Sequence, residues 1–234
     1  MQGTSYTERM TVRYPNIVQL YSVNTPNGIK VAACLEELVN LKGIDNFDYE
    51  PHTVDIRHAE NRSEEFARFN PNQKIPVLID PNGGGQGQAI TVFESGAILL
   101  YLAERYDELL PKDFSQRVEV IKWLFWGSTG ISSKMKLFGF YYKHCPHSLP
   151  YCVARYTKEV GRLFQVLERQ LSHRKHWITG GMCCYATTTH LPSTMQSQSP
   201  CLDSSIHQTC TPSLTYPFGL GSISCTTATT TQPR

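Results

Sequence analysis

Several things are missing from this sequence, and each absence removes a class of function. No apolar run approaches the roughly 20 residues that a membrane-spanning helix needs. The opening "MQGTSYTERMTVRYP" has no apolar core of the kind a secretory signal carries, so the cytoplasm is the expected address. Neither sign of charge dominates, with 22 Lys and Arg against 20 Asp and Glu. The net charge is +2 over 234 residues, which argues against nucleic acid or a membrane surface as partner. Cys34, Cys145 and Cys152 form no CxxC pair, and with no export signal they read as reduced thiols. The "GGGQG" run lacks the Gly-Lys-Ser/Thr ending of a phosphate loop. "KHCPHSLPYC" (143–152) fits no standard zinc spacing, so no metal is expected there.

The last stretch lacks charge almost entirely. From Met182 to Arg234 the only Lys, Arg, Asp or Glu residues are Asp203 and Arg234. Ser, Thr and Pro dominate, and neither helical nor strand periodicity lasts. Residues 182–234 read as a low-complexity tail, disordered or drawn from a shifted reading frame.

What is present before residue 182 is orderly. "NIVQLYSV" (16–23) and "FDYEPHTVDI" (47–56) predict strands, and "NGIKVAACLEELVNL" (27–41) between them predicts an amphipathic helix. Val31, Leu35, Leu38 and Val39 mark its core face, and Cys34 is expected to pack beside them. "SEEFARFN" (63–70) predicts a short helix capped by Ser63. "IPVLID" (75–80) and "AITVFE" (89–94) flank a glycine-rich hairpin loop. "ESGAILLYLAERYD" (94–107) predicts a helix with Ile98, Leu99, Leu102 and Tyr106 inward. The βαβαββα order predicts one compact α/β unit.

Beyond it the pattern is all helical. Residues 115–142 predict a long helix, or two with a kink near Gly127–Gly130, with Val118, Ile121, Leu124 and Phe125 as the stripe. Trp123, Phe125 and Trp126 are expected in the core or the interface between the two units. Residues 149–175 predict another helix, with Val153, Tyr156, Val160, Leu163, Leu167 and Leu171 at three- to four-residue spacing.

Three junctions in the α/β unit carry chemistry. At Thr25-Pro26-Asn27-Gly28 a helix begins, and Thr25 and Asn27 could donate hydrogen bonds to a sulfur anion; a plain turn explains the same residues. Pro76 opens an apolar strand, which fits either a cis Ile75–Pro76 bond or an edge strand. Glu94–Ser95 opens a helix, where Glu94 could hold an ammonium and Ser95 a carboxylate; a capping pair is the other reading.

Taken in order, these junctions resemble the glutathione transferase superfamily, with a thioredoxin-like N-terminal domain and an all-α C-terminal domain. "TPNG.K…LEEL", "NPNQKIPVL", "FESGAILLYLAE" and "WLFW" are similar to its Nu-class branch, which holds bacterial disulfide-bond oxidoreductases and the yeast prion-forming nitrogen regulator. The resemblance implies a glutathione-binding domain at 16–108, a partial all-α domain at 115–181 and the divergent tail at 182–234. Glutathione is implied as co-substrate, with no metal. Asn27 and Thr25 would serve the glutathione sulfur as the catalytic pair. Ile75, beside Pro76, would pair with the cysteinyl backbone. Glu94 and Ser95 would hold the γ-glutamyl end, and Arg155 would reach in from the helical domain. Lys74 would meet the glycyl carboxylate or stand as a solvated loop lysine. Asn61 falls where relatives often carry glutamine.

The implied function is glutathione-dependent reduction of disulfides or peroxides, or conjugation of glutathione to small electrophiles, in a homodimer. With no CxxC at the turn, redox chemistry would run on the glutathione thiols. A glutathione-binding regulator with little turnover and an inactive truncated form are the alternatives. Where a buried, capped helix normally follows "WITGG", this chain reads "MCCYATTTHLPSTMQSQSP". The helices before it are therefore expected to leave apolar faces exposed.

Overall fold

A computed structural model describes residues 17–173 and 178–179. The expected strand start at residue 16, the last two residues of the predicted 149–175 helix, most of "WITGG", and the tail at 182–234 lie outside the described residues. In the first half, β1 (Val18–Ser22), α1 (Pro26–Lys42), β2 (Tyr49–Thr53), α2 (Glu64–Ala67), β3 (Val77–Asp80), β4 (Ile90–Phe93) and α3 (Ser95–Tyr106) follow the expected order. The strands make one sheet, ordered β2-β1-β3-β4. β1 and β2 are parallel; β1–β3 and β3–β4 are antiparallel. This is a thioredoxin-like α/β unit.

Local chemistry accounts for each element. Thr25 caps α1, Pro26 takes the first turn where its missing N–H is not needed, and Gly43 at φ 80° ends the helix. Ser63 caps α2 by accepting from the Phe66 N–H at 3.1 Å. α1 turns Val31, Cys34, Leu35 and Leu38 into the core, and α3 turns in Ile98, Leu99 and Leu102. Burial pushes the Cys34 thiol far above its ordinary value, so it packs as an apolar group. All four residues of β3 are buried, as befits an interior strand. The edge-strand reading of Pro76 therefore fails; the Ile75–Pro76 bond is cis.

The second half is helical: α4 (Phe114–Phe125), a π-helical turn (Trp126–Ser132), α5 (Ser133–Gly139), a second π-helical turn (Phe140–His144) and α6 (Pro150–His173). The expected kink at Gly127–Gly130 takes the form of the first π turn. The stripe of α4 needs correction. Val120, Trp123 and Leu124 are buried, while Val118 and Phe125 are 47% and 58% exposed. The buried line continues at three- to four-residue spacing through Gly127 and Ile131, on a different face of the helix from Val118 and Phe125. Trp123 and Trp126 meet edge to face at 5.1 Å. On α6 only Leu163 and Leu167 are buried; the rest of its predicted stripe is half-buried. One core joins the halves: Ile98, Leu99 and Leu102 cluster with Val120, Trp123, Leu124, Leu167 and Ile178.

Candidate glutathione site

The sheet register brings the three junctions to one end. Tyr21 near the end of β1 pairs with Val77 at the start of β3, and Val77 pairs with Phe93 at the end of β4. The chain segments beyond those residues are Thr25–Asn27, Ile75–Pro76 and Glu94–Ser95. The end of β2 joins them, since Ser22 pairs with Thr53.

At the first junction the Thr25 hydroxyl is engaged within its own turn. Its Oγ1 accepts from the Gly28 N–H at 3.2 Å and donates to the Val23 carbonyl at 3.4 Å. The capping role of Thr25 is thus real. Asn27 is exposed, and among the described residues its amide makes no hydrogen bond, so it is the donor left open at this helix start. Gly28 has a steric reason. A Cβ there would lie 2.3 Å from Ser22 Oγ and 2.4 Å from the Val23 carbonyl oxygen, so only glycine lets the helix start so close to β1.

The second junction is held from behind. Asn70 is 2% exposed; its Nδ2 donates to the Lys74 carbonyl at 2.6 Å and its Oδ1 accepts from the Asn72 N–H at 2.9 Å. Asn61 Nδ2 donates to the Gln73 carbonyl at 2.6 Å, which makes it a brace for this loop. Lys74 is exposed, and Ile75 is half-buried beside the core residues Tyr21, Val54 and Phe66.

At the third junction Glu94 has φ 68° and ψ 114°, a region that L-residues seldom occupy. Such strain costs about 1–3 kcal/mol and clusters at ligand clamps. The Glu94 side chain makes no capping hydrogen bond to α3, so the capping-pair reading does not describe it. Ser95 is 6% exposed and opens the 12-residue helix, whose first N–H groups and partial positive charge suit a carboxylate.

Two contributors were not singled out from the sequence. Asn70 ends the helix expected at 63–70, and only tertiary contact shows what it holds. Lys30 sits one turn after Asn27 and is 2% exposed. Burial pulls its ammonium down to about 8, and the nearby Glu94 carboxylate opposes that pull. The signal for Lys30 was a lysine beside the apolar positions of the α1 stripe.

Arg155 lies elsewhere in contact terms. It is exposed on α6 and lines a groove of about 770 Å³ with Lys134, Tyr156, Lys158 and Arg162. Among the described residues it makes no hydrogen bond or ion pair with the three junctions. Cys145 and Cys152 are free, half-buried thiols, and the described residues hold no group of three potential metal ligands. Among the described residues no helix is long and apolar enough to cross a membrane.

Comparison with known proteins supplies context for this geometry. Residues 18–104 match the model of the glutathione S-transferase N-terminal domain. The disulfide-bond oxidoreductase YghU of Escherichia coli is 41% identical over 158 residues, covering 68% of this chain and 54% of the relative. The chain thus spans about half the length of that relative. The disulfide-bond oxidoreductase YfcG of Escherichia coli is 34% identical over 164 residues, covering 70% of this chain and 73% of the relative. Among solved structures, a glutathione transferase of Burkholderia graminis, with two glutathione molecules bound per subunit, superposes with a TM-score of 0.73. It is 36% identical and covers 84% of this chain and 78% of its own.

Proposed function

Since the chain belongs to the glutathione S-transferase family, we propose that it binds glutathione at the three junctions and uses the bound thiol to reduce small disulfides. One observation carries the reading. Three chain turns converge at one end of the sheet, where Asn27, Lys74 and Glu94 present side chains without hydrogen bonds to the described residues. The groups on offer suit an extended tripeptide with a zwitterionic head, a backbone to pair with and a terminal carboxylate.

In this reading Glu94 takes the ligand ammonium, while the Ser95 hydroxyl and the α3 N-terminus take the carboxylate beside it. Ile75 offers its backbone to the cysteinyl unit. Lys74 meets the glycyl carboxylate. The sulfur then lies at the start of α1, where Asn27 and the helix dipole favour the thiolate over the thiol. Thr25 works by shaping that turn, because its hydroxyl is spent on the cap. The glutathione thiolate attacks one sulfur of the substrate disulfide, forms a mixed disulfide and expels the other sulfur as a thiolate, which takes up a proton. A second glutathione resolves the mixed disulfide, yielding glutathione disulfide and the second reduced thiol. The two glutathione molecules supply both electrons, so no protein cysteine changes state. Peroxide reduction and conjugation would draw on the same activated sulfur, and a homodimer is the assembly proposed with it.

The test is glutathione-dependent reduction of a small disulfide by the purified full chain beside Asn27→Ala. Loss of a charge-stabilising donor lowers turnover by about 10²-fold. Saturable glutathione binding without turnover in the wild type supports the regulatory alternative instead.

A further inference from the structure

Lys30 is an anomaly in its surroundings. Lysine is almost never fully buried without a partner, because an isolated ammonium loses its hydration. Here the residue is 2% exposed on the core side of α1, the helix that packs on α3. Among the described residues it forms no hydrogen bond or ion pair. Glu94, at the head of α3, is the charged group whose field reaches it. Glu94 itself is exposed and held at an unfavourable φ. A largely buried lysine on α1 therefore lies within electrostatic reach of the outward-facing anion at the head of α3.

That pairing has a consequence for charge. With Lys30 protonated, the Glu94–Ser95 turn and its backing sum to zero. Such a turn is matched to a head group that brings both an ammonium and a carboxylate. With Lys30 neutral, the same turn carries a net negative charge and favours a plain cation. We propose that Lys30 is a specificity-determining positioning residue: its buried charge lets the Glu94–Ser95 turn accept a zwitterionic γ-glutamyl head in preference to a simple amine. The proposal rests on the glutathione reading above. It adds a residue that touches no ligand and acts through the charge of the turn.

The discriminating ligands differ by one carboxylate. S-methylglutathione carries both head-group charges, and S-methylated γ-aminobutyryl-cysteinylglycine carries only the ammonium. Blocking the sulfur removes thiol titration from both. Calorimetric binding would be measured on the full chain, on Lys30→Met and on Lys30→Arg, with a thermal melt of each. At neutral pH, Lys30→Met is expected to lose about tenfold in affinity for S-methylglutathione, equivalent to about 1.4 kcal/mol. It should hold or gain affinity for the analogue. Lys30→Arg should bind as the wild type does. As pH rises through about 8 the wild-type preference should fade toward that of Lys30→Met. Lys30→Arg should keep its preference, because arginine stays charged. The ligand amine titrates alike in every variant and cancels in the comparison.

Equal losses for both ligands in Lys30→Met would make the lysine merely structural and overturn the proposal. Unchanged S-methylglutathione affinity in a folded Lys30→Met would overturn it too, leaving the glutathione reading intact. A folded wild type that binds neither ligand would sink the glutathione reading itself. If Lys30→Met fails to melt cooperatively, the wild-type and Lys30→Arg pH profiles decide: a preference that stays flat in the wild type overturns the proposal.

Discussion

The two halves of the described chain finish their surfaces differently. Over residues 17–107 the exposed large apolar side chains are Leu41, Ile44, Ile56 and Phe93; over 114–151 they are Phe114, Val118, Phe125, Phe140, Tyr142, Leu149 and Tyr151. The first half has a sheet with helices packed on it and loops tied by side-chain hydrogen bonds at Thr25, Asn61, Ser63 and Asn70. The second half relies on one seam, where Val120, Trp123, Leu124, Leu163 and Leu167 are buried. Hydrophobic burial is roughly proportional to the area taken out of water, so a helix with two buried residues in 24 is held far less firmly than one with a full stripe. The difference teaches that the ligand-facing junctions sit on the better-secured unit.

Substitutions can sharpen or break that contrast. The largest effect is expected at the first junction. Gly28→Ala drives a methyl into Ser22 and the Val23 carbonyl, and should destabilise the chain by about 1–3 kcal/mol in denaturant unfolding. It should also abolish glutathione binding. A mild phenotype would mean that β1 and α1 can part without harm. A smaller effect is expected at the second junction. Asn70→Ala leaves the Lys74 carbonyl and the Asn72 N–H without their partner and should cost about 1–2 kcal/mol, with weaker glutathione binding as the loop loosens. Full affinity in that variant would show the loop to be held by something else. The smallest effect belongs to the helical half. Phe114, 77% exposed at the start of α4, has little to lose, so Phe114→Glu should change stability by less than about 0.5 kcal/mol. Reduced self-association in sedimentation velocity is the accompanying expectation. A large stability loss there would show that the exposed face is covered in solution.

Much of the site was legible because its signals are local. Thr-Pro-Asn-Gly suits a helix start or a plain turn, and the structure places a helix there with Thr25 as its cap. Proline before an apolar strand limited the backbone to two readings, and the interior position of β3 chose between them. Lys30, Asn61 and Asn70 were not legible in the same way. Their roles depend on what lies across space: a carboxylate 64 residues away for Lys30, and loop carbonyls for the two asparagines. The α4 stripe misled for a related reason: apolar residues lie on more than one face of that helix, and only packing decides that Val120, Trp123 and Leu124 turn inward while Val118 and Phe125 stay exposed.

By itself the sequence determined the order of elements, the Ser63 cap and the apolar faces of α1 and α3, because backbone propensity and hydrophobic spacing act within a few residues. Tertiary structure alone decided that three turns far apart in the chain share one end of a sheet. It also decided which side chains there are spent on the fold and which remain open. Thr25 is closed by its own helix, Asn27 stands free beside it, and Lys30 is buried on the core side of α1. Those distinctions follow from packing and electrostatics between distant segments, which no local pattern encodes.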